Sequence, residues 1–307
     1  MRAPNLCDLH IHTFYSDGRA SPDEVLRHAA SVGLTTVAIT DHDNTRGTRE
    51  ALALAAQSSP APAPGSVALL VAGSTIELIP AIEFTCRWDA CASPEGNQNI
   101  DVLGYFVNLD DPAFQETEKS ALNDLWQRVN DCCARLTAAG YPVTLEEVLV
   151  ENPRYPGAVQ ITFTLRRKGY AEDWNTAFAL FLPYWKQVCP SSLAIDQAIA
   201  AIQAAGGVAV LAHPVTVKCG ADEWLQAGQL TALVEMGLDG LEVYHYRLDA
   251  QARAHFVALA RQFDLLVTGG SDEHGWRPGF PRMGSQPVTP EMVQALRVRS
   301  LERWSQK

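Results

Sequence analysis

Three things are missing from this 307-residue chain, and each closes off a class of protein. The first is an apolar run of bilayer length. A spanning helix needs about 20 consecutive apolar residues, and the sequence has no such stretch. The N-terminal MRAPNLCDLH also lacks the apolar core of an export signal, so the expectation is a cytoplasmic protein with no membrane segment. The second is cysteine in disulfide or metal-binding spacing. The seven cysteines, at 7, 86, 91, 132, 133, 189 and 219, are odd in number and include no CxxC pair. They read as reduced, mostly buried thiols, not as a disulfide framework or a structural zinc site. The third is positive charge. Lys and Arg number 24 against 35 Asp and Glu, a formal net charge of −11, which argues against a large nucleic-acid surface. The seven tryptophans are scattered and offer no stacking platform for bases. A small phosphorylated ligand stays compatible, because acidic residues that hold divalent cations reverse their own local field.

What is present is ordinary globular material, 47% apolar and 19% charged, in a strand–helix rhythm. Strands are expected over 6–12, 34–40, 76–84 and 99–106. Ser21-Pro22-Asp23-Glu24 supplies an N-cap, a first-turn proline and a capping-box glutamate for a helix to about 33. A second helix is expected over 45–57, followed by SSPAPAPGS, a loop too rich in Pro and Ser to be regular. Residues 110–190 differ, with long amphipathic helical pattern and little strand signal. The rhythm resumes with helices over 192–205, 223–236 and 250–263, strands over 208–212, 240–244 and 265–268, and a last helix from Pro290. The expected organisation is therefore a barrel-type α/β fold in three stretches: 1–109, a mostly helical insertion over 110–190, and 191–307 with the C-terminal helix.

Residues able to bind metal recur where these strands end. CDLHIHTFYSDG places His10 and His12 two apart, so the pleat of a strand points both the same way, with Asp8. Thr40-Asp41-His42-Asp43 ends the next strand and Glu83 closes IELIPAIEF. Asp101 lies in NIDVLGYF, His213 follows VAVLA, Glu242 to His245 close a further strand, and Asp272 and His274 follow LLVTGGS. In a parallel barrel the strand C-termini converge on one mouth, where active sites sit. Five of the eight histidines (10, 12, 42, 213 and 274) fall there, a placement that independent packing residues do not account for.

DLHIHTFYSDG, TDHD, the glutamate of AIEF, AHP and GSDEH occur in the order found in the PHP (polymerase and histidinol phosphatase) family, which the chain resembles from Leu6 to about Gly275. The stretch from Gly240 to Gly275 is most similar to small stand-alone bacterial phosphoesterases of that family. The resemblance implies a distorted (β/α)7 barrel with a mostly helical insertion, and two or three divalent metal ions, manganese first, with zinc or iron as alternatives. It implies His10, His12, Glu83 and Asp272 as one ligand set and Asp17, His42 and His274 as a second. Glu83 would bridge onward to a third with His213 and Asp101. The lack of thiolate donors suits such ions and not a structural zinc. The implied reaction is hydrolysis of a phosphomonoester on a small molecule by metal-activated hydroxide attack on phosphorus. The implied substrate is a nucleotide such as a nucleoside 3',5'-bisphosphate. A 5'-3' exonuclease on short RNA, a histidinol-phosphate-type phosphatase, a metal-dependent amidohydrolase and a non-catalytic scaffold are the alternatives.

Three departures from the family pattern concern specificity. Asp101 stands where many relatives have histidine. Gln160 and Thr162 align with an R-x-H-F motif and carry neither of its charges. Val215-Thr216 follows AHP in place of Gly-Arg, leaving Lys218 the nearest cation. The metal centre matches; the specificity pocket does not. Arg46, Gln160, Lys218 and His245 are the candidate substrate contacts, and His245 is also the candidate proton donor. Arg49, His28 and His255 read as surface or packing residues. Asp8, Asp41 and Asp43 read as support for the ligands.

Overall fold

The Ser21 hydroxyl accepts the Glu24 N–H at 3.2 Å, and the Glu24 carboxylate accepts the Ser21 N–H at 2.7 Å. This capping box, with Pro22 where no helical N–H is needed, starts α1 (Pro22–Ser31) after strand β1 (Cys7–Ile11). The computed structural model describes residues 7–55, 66–91, 99–188, 191–217, 224–275 and 282–305. Within them the alternation continues through β2 (Thr36–Ile39), α2 (Arg46–Ala55), β3 (Val67–Val71), β4 (Ser74–Arg87) and β5 (Asn99–Tyr105). Four helices then follow with no strand between them: α3 (Pro112–Ala138), α4 (Leu145–Leu149), α5 (Ala158–Arg167) and α6 (Trp174–Trp185). The rhythm returns with α7 (Ile195–Ala204), β6 (Val208–Leu211), α8 (Ala227–Glu235), β7 (Gly240–Tyr244), α9 (Ala250–Gln262), β8 (Leu266–Gly269) and α10 (Pro290–Trp304).

The strands form one sheet in the order β1-β2-β4-β5-β6-β7-β8, with β3 paired to β4 at the side. The ends of this path meet. The His12 N–H donates to the Glu273 carbonyl at 3.0 Å and the Asp272 N–H to the His10 carbonyl at 2.9 Å, curling the sheet into a distorted seven-strand barrel. A Cβ at Gly270 would lie 2.3 Å from the His10 Cβ and 2.4 Å from its nitrogen, so only glycine lets the chain after β8 approach β1 this closely. The distortion is β5, which runs antiparallel to both neighbours while the other path strands pair in parallel. The β3–β4 hairpin is an element the sequence pattern missed. Its two-residue turn is Ala72-Gly73, both at positive φ, and alanine there hides the usual Asn-Gly signal. Helix α8 starts later than expected, at Ala227, and the expected start at Glu223 lies outside the described residues, as do residues 58–65 of the Pro-rich loop.

Alternate residues of β2 separate the cores. Ala38 packs with Leu9, Ile79, Leu103, Tyr105 and Val210 against Val293 and Leu296 of α10, while Val37 and Ile39 pack with Val25 and Leu26 of α1. Ser300 and Arg303 of α10 donate to the carbonyls of Gly206 and Gly207, just ahead of β6. Helix α10 thus covers the end of the sheet away from His213, which follows β6. Helices α3–α6 share a core of their own that includes Leu125, Val129, Leu136, Ile161, Leu165 and Phe181. Cys7, Cys86, Cys132 and Cys133 are buried and unpaired, as expected.

Candidate metal centre

The pleat of β1 brings His10 Nε2 and His12 Nε2 to 3.1 Å from each other, with Glu83 Oε2 at 3.1 and 3.3 Å from the two. Asp272 Oδ1 completes the group, 3.2 Å from His12 Nε2 and 3.5 Å from His10 Nε2. A second group adjoins it. His274 Nε2 lies 3.2 Å from Asp17 Oδ1, and ligand atoms of His12, Asp17, His42 and His274 all fall within 4.8 Å of one another. A third surrounds the other side of Glu83, whose Oε1 is 3.1 Å from His213 Nε2; Asp101 Oδ2 is 3.9 Å from the same nitrogen. All nine candidate ligand residues therefore meet at one place. Asp101 gets there by a route the strand-end rule does not describe. It sits near the start of β5, and only the antiparallel course of that strand puts its early residues at the mouth, paired with Thr85 of β4.

Support for these groups comes from neighbouring carboxylates, one of them on a residue without an assigned role. Glu242 is fully buried; its Oε1 accepts from His10 Nδ1 at 2.8 Å and its Oε2 from the His213 N–H at 2.8 Å. With the proton held on Nδ1, the His10 Nε2 lone pair faces Glu83. His10, Glu242 and His245 also converge, but a ring with one lone pair cannot ligate on both sides, so this trio is support for the first group. Asp8, read as support for the ligands, accepts the N–H groups of Ser271 and Gly284 at 2.9 and 2.7 Å and stitches β1 to the chain after β8. Asp41 takes the Thr13 N–H and hydroxyl at 2.7 and 2.6 Å and the Ser16 hydroxyl at 2.6 Å, holding the turn that leads to Asp17. Asp43 accepts the Thr85 N–H at 2.8 Å. Gly18 serves close approach and not a left-handed turn, since a Cβ there would sit 2.5 Å from the His12 carbonyl oxygen. Asp43, His213 and Asp272 do adopt positive φ, with values of 54°, 27° and 56°, so the strand ends at this mouth are strained.

The electrostatics seek positive charge. Burial would lower the His12 and His42 imidazoles. Hydrogen bonds that His12 donates to the Asp272 and Glu83 carboxylates, and the charges of Glu83 and Asp17 at His42, outweigh it and raise each to about 9. Burial would likewise raise Glu83, Asp17 and Asp272, yet the neighbouring imidazoles hold all three carboxyls below their ordinary range. Protons here occupy places that divalent cations would take, releasing those protons. Asp17 Oδ1 is buried and makes no hydrogen bond despite its contact with His274. That orphaned acceptor, in a donor set of imidazole nitrogens and carboxylate oxygens, fits hard or borderline divalent metals.

The expected substrate contacts fare differently. His245 is fully buried; its Nε2 bonds Asp272 Oδ2 at 3.2 Å while its Nδ1 accepts the Arg247 N–H at 3.2 Å, so both ring nitrogens have protein partners. Through Nε2 it steadies Asp272. The Arg46 guanidinium donates to the carbonyls of Tyr15 and Arg154 at 3.3 and 2.9 Å. Arg49, read as facing solvent, instead pairs with Asp110 at 3.4 Å and donates to the Leu109 carbonyl, tying α2 to the start of α3. Gln160 is buried and its Oε1 accepts the Gly157 N–H at 2.9 Å, although it also borders the cleft beside Asp17. Lys218 lies outside the described residues. His28 is exposed on α1, and His255 packs on Trp224, with Nε2 2.8 Å from the Leu225 carbonyl.

Imidazole and carboxylate groups clustered at the mouth of a curled α/β barrel define a metal-dependent hydrolase. The sequence signature of the PHP domain matches residues 8–140. The chain is 31% identical over 273 residues to the 5'-3' exoribonuclease Rnm of Escherichia coli strain K12, covering 87% of this chain and 84% of that one. It is 27% identical over 293 residues to the 3',5'-nucleoside bisphosphate phosphatase of Chromobacterium violaceum, covering 94% of each. A crystal structure from Bifidobacterium adolescentis, described as a metal-dependent phosphoesterase, matches with a TM-score of 0.76 at 28% identity, over 95% of this chain and 96% of that one. The chain belongs to the PHP family, as a metal-dependent phosphoesterase that hydrolyses phosphate esters. Among the described residues no helix is long and apolar enough to cross a membrane.

Proposed function

We propose that this enzyme removes phosphate from a phosphomonoester of a small molecule, first a nucleotide such as a nucleoside 3',5'-bisphosphate. His10, His12, Glu83 and Asp272 would hold one divalent cation and Asp17, His42 and His274 a second. His213 and Asp101 would share a third with Glu83. When bound, such cations would activate water and neutralise charge on the phosphoryl oxygens. The observation that carries the reading is the convergence of four donor atoms from β1, β4 and the chain after β8 within 3.5 Å contacts, beside the orphaned Asp17 oxygen.

The chain's own residues prepare this arrangement. Glu83 reaches His10 and His213 with different oxygens, at 3.1 Å each, so one carboxylate links the first and third groups. Glu242 fixes the His10 tautomer, and Asp41 fixes the turn bearing Asp17. Manganese suits a set in which five of nine ligands are imidazole and four carboxylate, with no thiolate. A phosphate-release screen tests the reading. It compares adenosine 3',5'-bisphosphate, nucleoside monophosphates, sugar phosphates and short 5'-phosphorylated RNA, each with manganese, zinc and magnesium. The highest kcat/KM is expected for the bisphosphate with manganese. Release that peaks on RNA would favour the exonuclease alternative, and full activity after chelation would overturn the proposal.

A further inference from the structure

The helical segment meets the metal centre through a loop that carries charge the centre does not use. Asn152 is buried, and its Nδ2 donates to the carbonyls of Phe14 and Ser16 at 2.8 and 2.9 Å. Its Oδ1 accepts the Arg154 N–H at 3.0 Å, and Arg46 donates to the Arg154 carbonyl at 2.9 Å. The Arg154 backbone is therefore clamped to the turn that bears Asp17. Its guanidinium lies 4.3 Å from the centre of the Phe14 ring. Arg19, two residues past Asp17, lies 4.8 Å from the centre of the Phe163 ring, which Trp174 backs at 5.0 Å.

Asp17, Arg19, Phe14, Arg154 and Phe163 line one cleft of about 360 Å³. That volume falls in the range of small-ligand sites. Arg27 pairs with Asp23 and Arg49 with Asp110, but neither Arg19 nor Arg154 has a carboxylate partner among the described residues. In a chain of net charge −11, two exposed guanidiniums without an acid, held over aromatic faces beside the metal centre, are arranged for an anion.

We propose that Arg19 and Arg154 bind a second, uncleaved phosphate of a nucleotide whose scissile phosphate lies at the metal centre. The inference rests on the phosphoesterase reading and deepens it. It also supplies the cations that Gln160 and Thr162 do not.

The test uses the full-length chain and the variant Arg19→Met/Arg154→Met, in which methionine keeps apolar contact with both rings. With manganese, the ratio of kcat/KM for adenosine 3',5'-bisphosphate to that for phenyl phosphate should fall about 100-fold, mainly through KM. Arg27→Met, at an exposed arginine of α1 that pairs with Asp23 and does not line the cleft, should keep the wild-type ratio. Binding of the bisphosphate to the chelator-treated chain, measured by calorimetry, should weaken by a similar factor. A 5'-phosphorylated diadenylate run alongside shows whether the second phosphate belongs to a mononucleotide or an oligonucleotide end. An unchanged ratio with unchanged binding overturns the subsite, as does an equal loss for both substrates. If no phosphate is released by either protein but the binding difference persists, the phosphoesterase reading falls and the subsite stands.

Discussion

The metal centre and the cleft beside it differ in how their charges are held. At the centre, His10, His12, Glu83 and Asp272 are buried, the remaining ligand residues are half-buried, and the charges face opposite neighbours: Glu83 alone touches His10, His12, His42 and His213. In the cleft, Arg19 and Arg154 are exposed and rest on aromatic rings. Buried, mutually compensated charges cannot be altered singly without leaving an uncompensated partner in low dielectric, whereas exposed ones can. The difference teaches where change is tolerated. The centre's charges are locked by their neighbours, whereas the residues of the cleft can vary without collapse.

The comparison breaks most completely at Asp272. Asp272→Ala removes an oxygen that contacts His10, His12 and His274 and frees His245. Phosphate release should drop by about 1000-fold or more, with far-UV circular dichroism unchanged; a variant retaining a tenth of wild-type turnover would refute the role. Glu242→Gln sharpens the comparison, because Glu242 touches no candidate metal position directly. The amide would set an N–H against either His10 Nδ1–H or the His213 N–H, and manganese affinity should fall about 10–100-fold in a chelator competition. Affinity within twofold of wild type would mean that the His10 tautomer is set elsewhere. The smallest effect is expected at Gly270→Ala. The added Cβ meets the His10 backbone, and stability should fall by about 1–3 kcal/mol in urea unfolding of the metal-free chain. An unchanged midpoint would show that the barrel closes without that close approach.

Much of the centre was legible in the sequence because its signals are local. His10 and His12 share a face through the pleat of a single strand. Thr40 to Asp43, His213 and the Asp272–His274 pair end strands whose apolar runs are plain. Asp101 was legible as a residue type but not by position, since nothing local to NIDVLGY reveals that β5 runs against its neighbours. The β3–β4 hairpin escaped because Ala72 takes a left-handed conformation that alanine seldom adopts. The cleft was least legible. Asn152 reaches the Phe14 and Ser16 carbonyls across 138 and 136 residues of chain, and no periodicity announces such a contact. Arg49 was misjudged for the same reason, its partners at 109 and 110 being distant in sequence.

What the sequence determined by itself was therefore the α/β class, the buried thiols and the facing of donor side chains along each strand. These follow from dihedral geometry and apolar period, which need no distant neighbour. Only the tertiary structure decided which nitrogen of His10 is free, because the carboxylate that holds the other, Glu242, is 232 residues away. It alone also joined two arginines from separate segments into one cleft with Asp17. Hydrogen-bond direction and charge compensation depend on groups that meet through space, and long-range packing is what brings them together.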